Sequence, residues 1–169
     1  MEGKFKPQIR AAELKEKQQQ GREHEYFELL VEPLHEELFK RKDFGFLDEL
    51  TEGQQLLLSY DYIRMQVMQG GFIQLIQNGY IGLLPPMPNW LFAINAGEMA
   101  AVIDDVLKVY VLNHELLEKE TSVEEFAKLY DELKEFEIID ERFEGLNEST
   151  INKILAFATQ HIGEFATVV

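Results

Sequence analysis

Residues 65–97 (MQVMQGGFIQLIQNGYIGLLPPMPNWLFAINAG) are 33 consecutive positions without a charged side chain, in a chain with 31 acidic and 16 basic residues. The stretch contains Gly70-Gly71, Asn78-Gly79, prolines at 85, 86 and 88, and the only tryptophan, Trp90. Its apolar residues are interleaved with the amides Gln66, Gln69, Gln74, Gln77 and Asn78. A neutral, turn-rich segment in an acidic chain is expected to lie inside the fold or against a partner. The prolines, glycines and amides rule it out as a membrane span. Nothing in it has the make-up of a reaction centre.

The flanking sequence has helical spacing. Phe27, Leu30, Val31, Leu34 and Leu38 predict an amphipathic helix over 23–42, with Pro33 as a kink or break. Thr51 and Gln54 stand in capping-box spacing and open a helix to about 69. Leu56, Tyr60, Ile63 and Val67 share one face, with apolar residues around most of the rest, so this helix is central. Gly70-Gly71 predicts its end in a left-handed cap. A short helix over 72–77 follows, stopped at Asn78-Gly79, and the prolines predict an extended loop. Asn89 then caps a long helix to about 117, bent near Gly97, with Met99, Val102, Ile103, Val106 and Tyr110 buried.

Ser122 and Glu125 form a second capping box. In the helix that it opens, Val123, Phe126, Ala127, Tyr130 and Leu133 line the inner side. Residues 136–145 read as a connection, with Ile138-Ile139 turned inward, and the last helix starts near Ser149. No strand pair is evident. The predicted fold is all-α, a compact bundle of six or seven helices around the 52–69 helix and a helix-Gly-Gly-helix reversal. Residues 1–22 read as a flexible basic arm and 23–169 as one domain. Gln74 and Asn78 are expected to be buried, bonded to nearby backbone.

Charge is unevenly distributed. Residues 1–42 balance 9 basic against 9 acidic groups, so the whole net charge of −15 arises beyond them. Residues 115–148 alone hold 13 acidic against 4 basic side chains. Such a surface repels nucleic acid and anionic membrane and attracts basic proteins. Spread along a continuous helix, 13 acids in 34 residues give one per roughly 4 Å, against about 3.4 Å for one DNA strand and 1.7 Å for the duplex. One chain falls short of duplex density; two side by side come closer.

Catalytic signatures are absent: the sequence has no P-loop, GxGxxG, GxSxG or HExxH. Glu32 and His35 match the Glu-x-x-His spacing of di-iron bundles, but that chemistry requires a second such motif and two further glutamates. His35 therefore reads as a solvated side chain. No metal or other cofactor is expected. The lack of cysteine suits a reducing cytoplasm, and no signal peptide is apparent at the start.

The run GGFIQLIQNGYIG, leading to the small-residue helix Ala96-Gly97…Met99-Ala100-Ala101, resembles the Gly-Gly-Phe-x-Gln…Asn…Gly signature of a bacterial family of acidic DNA-mimic proteins. The resemblance covers roughly 51–117 and makes Gly70, Gly71, Phe72, Gln74, Asn78 and Gly79 the scaffold motif. It implies a dimeric, all-helical, non-enzymatic protein. In that family, carboxylates take the place of phosphates on a helix-turn-helix regulator. The partner-binding surface expected here comprises Asp104, Asp105, Glu115, Glu118, Glu120, Glu124, Glu125, Asp131, Glu132, Glu135, Glu137, Asp140 and Glu141. The partner is a DNA-binding protein with a basic surface, with no direct contact to nucleic acid or membrane. The alternative is an inhibitor- or immunity-like module that binds through an apolar 80–90 loop including Met87 and Trp90, its acids serving solubility only.

Overall fold

The computed structural model describes residues 5–119 and 122–169. It is all-α. The helices are α1 (Ala11–Lys17), α2 (Glu23–Arg41), α3 (Glu52–Gln77), α4 (Met87–Ala93), α5 (Gly97–Leu117), α6 (Val123–Glu132), α7 (Glu135–Gln160) and α8 (Ile162–Phe165). Two short 3-10 turns, Phe44–Glu49 and Ile81–Leu83, lie between them. The chain divides into two compact units, the first from Met1–Asp61 with Ile151–Val169, the second Tyr62–Thr150. The divisions fall inside α3 and α7, where the sequence offers no linker.

In the first unit, the Thr51–Gln54 capping box closes as its spacing predicts. The Thr51 N–H donates to Gln54 Oε1 at 3.0 Å, and the Gln54 N–H donates to Thr51 Oγ1 at 3.1 Å. Gln54 is fully buried. Its Nε2 donates to the carbonyls of Phe5 (3.0 Å) and Phe165 (3.1 Å), while Thr51 Oγ1 donates to the Glu164 carbonyl at 2.9 Å. One amide thus ties the start of α3 to both ends of the chain. Around it Leu56, Leu57, Leu58, Ser59, Tyr60 and Asp61 are all buried, so α3 has no solvent stripe here.

From residue 5 onward, the basic segment expected as a flexible arm is built into this unit. Strand β1 (Gln8–Ile9) pairs in parallel with β2 (Thr167–Val168), and further backbone bonds join Ala11 N–H to the Val169 carbonyl and Thr167 N–H to the Pro7 carbonyl, each at 2.9 Å. Ile9 and Leu14 are buried. The apolar residues of 1–22 are too few and too irregularly spaced to reveal this. The pair is also a strand contact that the sequence did not suggest. Helix α2 runs unbroken through Pro33, with Tyr26, Phe27, Leu30, Val31, Leu34 and Leu38 buried. His35, expected in solvent, places Nε2 2.7 Å from Oδ2 of buried Asp61.

The second unit departs further from expectation. The prolines do not hold an extended loop: Pro86 caps α4 and Pro88 sits in its first turn, where a missing N–H costs nothing. The break before α5 comes at 94–96, with Asn95 in the left-handed region (φ 63°). Helix α7 begins fourteen residues before the expected start. Phe136, Ile139, Phe143, Asn147, Thr150 and Ile154 are buried at helical intervals, whereas Ile138 faces solvent. Helix α6 stops at Glu132 and turns Leu129 inward, leaving Val123 exposed.

Gln54→Leu is expected to orphan the Phe5 and Phe165 carbonyls and lower stability by roughly 2–4 kcal/mol. Thr51→Ser keeps the capping hydroxyl and is expected to cost well under about 1 kcal/mol. Urea unfolding of the two variants measures the difference.

Candidate protein-binding surface

The second unit carries most of the charge, with 16 acidic against 6 basic side chains over 62–150. How its acids are presented depends on the break at Gly70-Gly71. Gly71 has φ 78° and ψ 180°, a region that essentially only glycine occupies, rather than the left-handed cap expected. The extended residue lets the chain turn and resume helix at once. Asn78-Gly79 then ends α3 in a Schellman motif: the Tyr80 N–H reaches the Leu75 carbonyl (3.1 Å) and the Gly79 N–H the Ile76 carbonyl (3.0 Å), with Gly79 at φ 85°.

Two side chains from the acidic segment hold the Gly70-Gly71 break. The Tyr130 hydroxyl on α6 lies 2.8 Å from the Gly70 carbonyl oxygen and 3.0 Å from Asp140 Oδ2 on α7. The Phe72 N–H, freed by the break, donates to Asp140 Oδ1 at 3.0 Å. A Cβ on Gly71 would collide with the Tyr130 hydroxyl and the Asp140 carboxylate. Phe72 is fully buried, its ring edge-on to Phe143 with centroids 5.5 Å apart. Asp140, placed by its sequence among the displayed acids, is thus half-buried and structural. Burial pushes its carboxyl above the usual range, and Glu144 and Glu137 add to that push; the Phe72 N–H and the Tyr130 hydroxyl oppose it. Burial also raises the Tyr130 phenol, with the Asp140 charge as the next cause.

The amides of the scaffold motif have a different role from the one expected. Gln74 is half-buried and Asn78 exposed. They bond to other side chains: Gln74 Nε2 donates to Gln66 Oε1 (3.2 Å) and Gln69 Oε1 (3.0 Å), and Asn78 Nδ2 to Gln66 Oε1 (2.8 Å). These amides brace the two sides of the glycine break outside the core. Gln77 Nε2 donates to the carbonyls of Leu117 (3.4 Å) and Lys119 (3.3 Å), fastening the end of α5.

Most of the other described acids of this unit face water. On α6, Glu124, Glu125, Asp131 and Glu132 are exposed beside Lys128, and Ser122 caps the helix by accepting the Glu125 N–H at 3.2 Å. Only Leu129 is buried on α6; Phe126 and Tyr130 are half-buried, ring edge to ring face. On α7, Glu137, Glu141, Glu144 and Glu148 fall at i, i+4, i+7 and i+11, all exposed. They make a stripe of one carboxylate per roughly 5–6 Å along the helix. Glu144 and Glu148 belong to this stripe but were outside the expected surface. Helical spacing could have found them, had Gly145 not suggested a connection. Glu135 is exposed at the start of α7.

Helix α5 contributes less free charge. Asp104 and Glu115 are exposed, but Asp105 pairs with Arg142 at 2.6 Å and lies 3.9 Å from Lys108. Glu118 accepts a hydrogen bond from the Tyr110 hydroxyl. Glu120 lies outside the described residues. The apolar 80–90 loop of the alternative reading is not displayed: Leu84 and Met87 are fully buried and Trp90 is half-buried. Among the described residues, no group of three or more His, Asp or Glu side chains is placed to hold a metal ion, and no helix is long and apolar enough to cross a membrane.

Gly71→Ala adds both backbone strain and a clash, with an expected loss of roughly 3 kcal/mol. Tyr130→Phe removes one clashing atom, so the double variant is expected to lose less than the sum of the singles in a double-mutant cycle. A family model described as DMP19-like protein matches residues 48–161, from the approach to α3 through α7. No curated protein matches the chain.

Proposed function

Because the chain belongs to the DMP19-like protein family, we propose that it is a non-enzymatic DNA mimic that occupies the DNA-binding surface of a transcriptional regulator. The observation that carries this reading is the exposed carboxylate array of α6 and α7 in the second unit. Glu137, Glu141, Glu144 and Glu148 form a stripe on one helix, and Glu124, Glu125, Asp131 and Glu132 are exposed on the helix before it. Asp104, Glu115, Glu118 and Glu135 extend the acidic surface. Asp105 and Asp140 contribute less, the first through its pairing with Arg142 and the second through its place at the glycine break.

The partner is a cytoplasmic DNA-binding protein with a basic reading face, of the helix-turn-helix kind. Its lysines and arginines would release the counterions of the carboxylates, as they do those of phosphates. A single stripe is sparser than a DNA strand. A homodimer that sets two copies of the surface side by side brings the density closer to that of a duplex.

Two arms test the reading. A helix-turn-helix regulator recovered on the immobilised protein and eluted by salt is expected to lose affinity steeply as ionic strength rises, and to be competed by its operator DNA. Replacing Glu137, Glu141, Glu144 and Glu148 with glutamine is expected to weaken binding by at least about tenfold, mainly through slower association. Affinity indifferent to both salt and the four substitutions would sink the proposal.

A further inference from the structure

We propose that the uncharged outer surface of α3, with the Asn78–Tyr80 turn, is the face across which two copies of this chain associate, and that the association tightens with salt. Printed side by side in the fold, its members touch one another. Tyr62 and Tyr80 stack with ring centroids 5.5 Å apart. Gln66 Oε1 accepts from Asn78 Nδ2 at 2.8 Å and from Gln74 Nε2 at 3.2 Å, and Gln74 Nε2 also reaches Gln69 Oε1 at 3.0 Å. Met65 stands one turn beyond Tyr62 and one turn before Met68 and Gln69, so both thioethers border the amides. Met65 is 43% exposed and Met68 48%.

Charge and hydrogen-bonding chemistry select a second copy as the occupant. The second unit carries 16 acidic against 6 basic side chains, yet none of them falls within 65–97. Two such bodies repel wherever their carboxylates face one another, so they approach with least repulsion where each shows no charge. A two-fold interface also sets one patch against its own image. A surface of carboxylates cannot mate with itself. A carboxamide or a phenol carries both donor and acceptor, so these glutamines, the asparagine and the tyrosines offer a second copy what it needs. Tyrosine and methionine suit the centre of an interface, and methionine adapts its shape to the surface that covers it. Arg64, the one charge on α3 beyond Asp61, stands at the edge of the patch, where interfaces keep their charges. The other exposed apolar group, Val111, Leu112 and Leu116 on α5, is interleaved with Glu115 and closely followed by Glu118 and Lys119, and lacks this neutrality. The α3 face gives the homodimer put forward above a place to form, but its chemistry does not depend on what the carboxylates bind.

Sedimentation equilibrium of the intact chain at about 0.05 M and about 0.5 M salt tests this. The expected result is a dimer whose association constant rises by about threefold or more with salt, because screening relieves the repulsion between the acidic bodies. Regulator binding to the carboxylates has the opposite salt dependence, so either claim can fail while the other stands. Met65→Glu with Met68→Glu places two charges on each copy of the face and is expected to leave a monomer where the wild type is dimeric, whereas Leu112→Glu is expected to stay dimeric. A monomeric wild type, a dimer that loosens in salt, or one that survives the methionine substitutions and yields to Leu112→Glu overturns the proposal. Peroxide oxidation of the wild type, followed by mass spectrometry, gives a readout independent of whether a variant folds. Met65 and Met68 are expected to oxidise in dilute protein and to be protected as concentration rises, against buried Met87 and Met99 as the internal reference. Equal oxidation of Met65 and Met68 in dilute and concentrated protein likewise overturns it.

Discussion

An α-helix can be interrupted for one residue and resumed only if the groups freed at the interruption find partners. At Gly70-Gly71 those partners come from far along the chain: the Gly70 carbonyl is taken by Tyr130, and the Phe72 N–H by Asp140. The glycine conformation, the fit of the Tyr130 hydroxyl over a residue with no side chain, and the placement of α6 and the first half of α7 are one constraint. The neutral stretch and the acidic run, which differ so sharply in composition, are specified together at this point.

The rest of the second unit follows from it. With α3 turned at Gly71 and closed at Gly79, Gln77 secures the end of α5, and the buried side of α7 from Phe136 to Thr150 leaves its glutamates outward. Acidity has a different status at different positions. Asp140 belongs to the interior hydrogen-bonding scheme, Asp105 is balanced by Arg142, and Glu137, Glu141, Glu144 and Glu148 share one exposed stripe of α7. Equal formal charges in the sequence thus differ in what they offer a basic partner. Like charges at helical spacing are held at a cost of a few tenths of a kcal/mol per pair, which is relieved when a cationic surface covers them.

Much of this was legible. Capping boxes at Thr51 and Ser122, the breaks at Gly70-Gly71 and Asn78-Gly79, and the apolar stripe of α5 all rest on local chemistry, and all appear where the residues place them. Features set by distant partners were not legible. Nothing near residue 140 marks that aspartate as the partner of an N–H at Phe72, and nothing in the first 22 residues announces that Ile9 pairs beside Val168. Proline and glycine misled where they could be read in two ways: Pro86 and Pro88 begin a helix, and Gly145 sits exposed within one. The amides Gln74 and Asn78 were assigned to the core because polar side chains in a neutral segment suggest burial. They satisfy one another at the surface instead, a pairing of side chains that no one-dimensional pattern reports.

Trp90 gives the chain an uneven optical address. It is the sole tryptophan, half-buried in α4, within the second unit. Indole emission therefore watches that unit alone, whereas far-ultraviolet dichroism sums the helices of both. If α3 and α7, which each pass through both units, make unfolding a single event, the two signals share one midpoint. If the units come apart in turn, the optical traces separate, and the order of their midpoints says which half of the molecule gives way first.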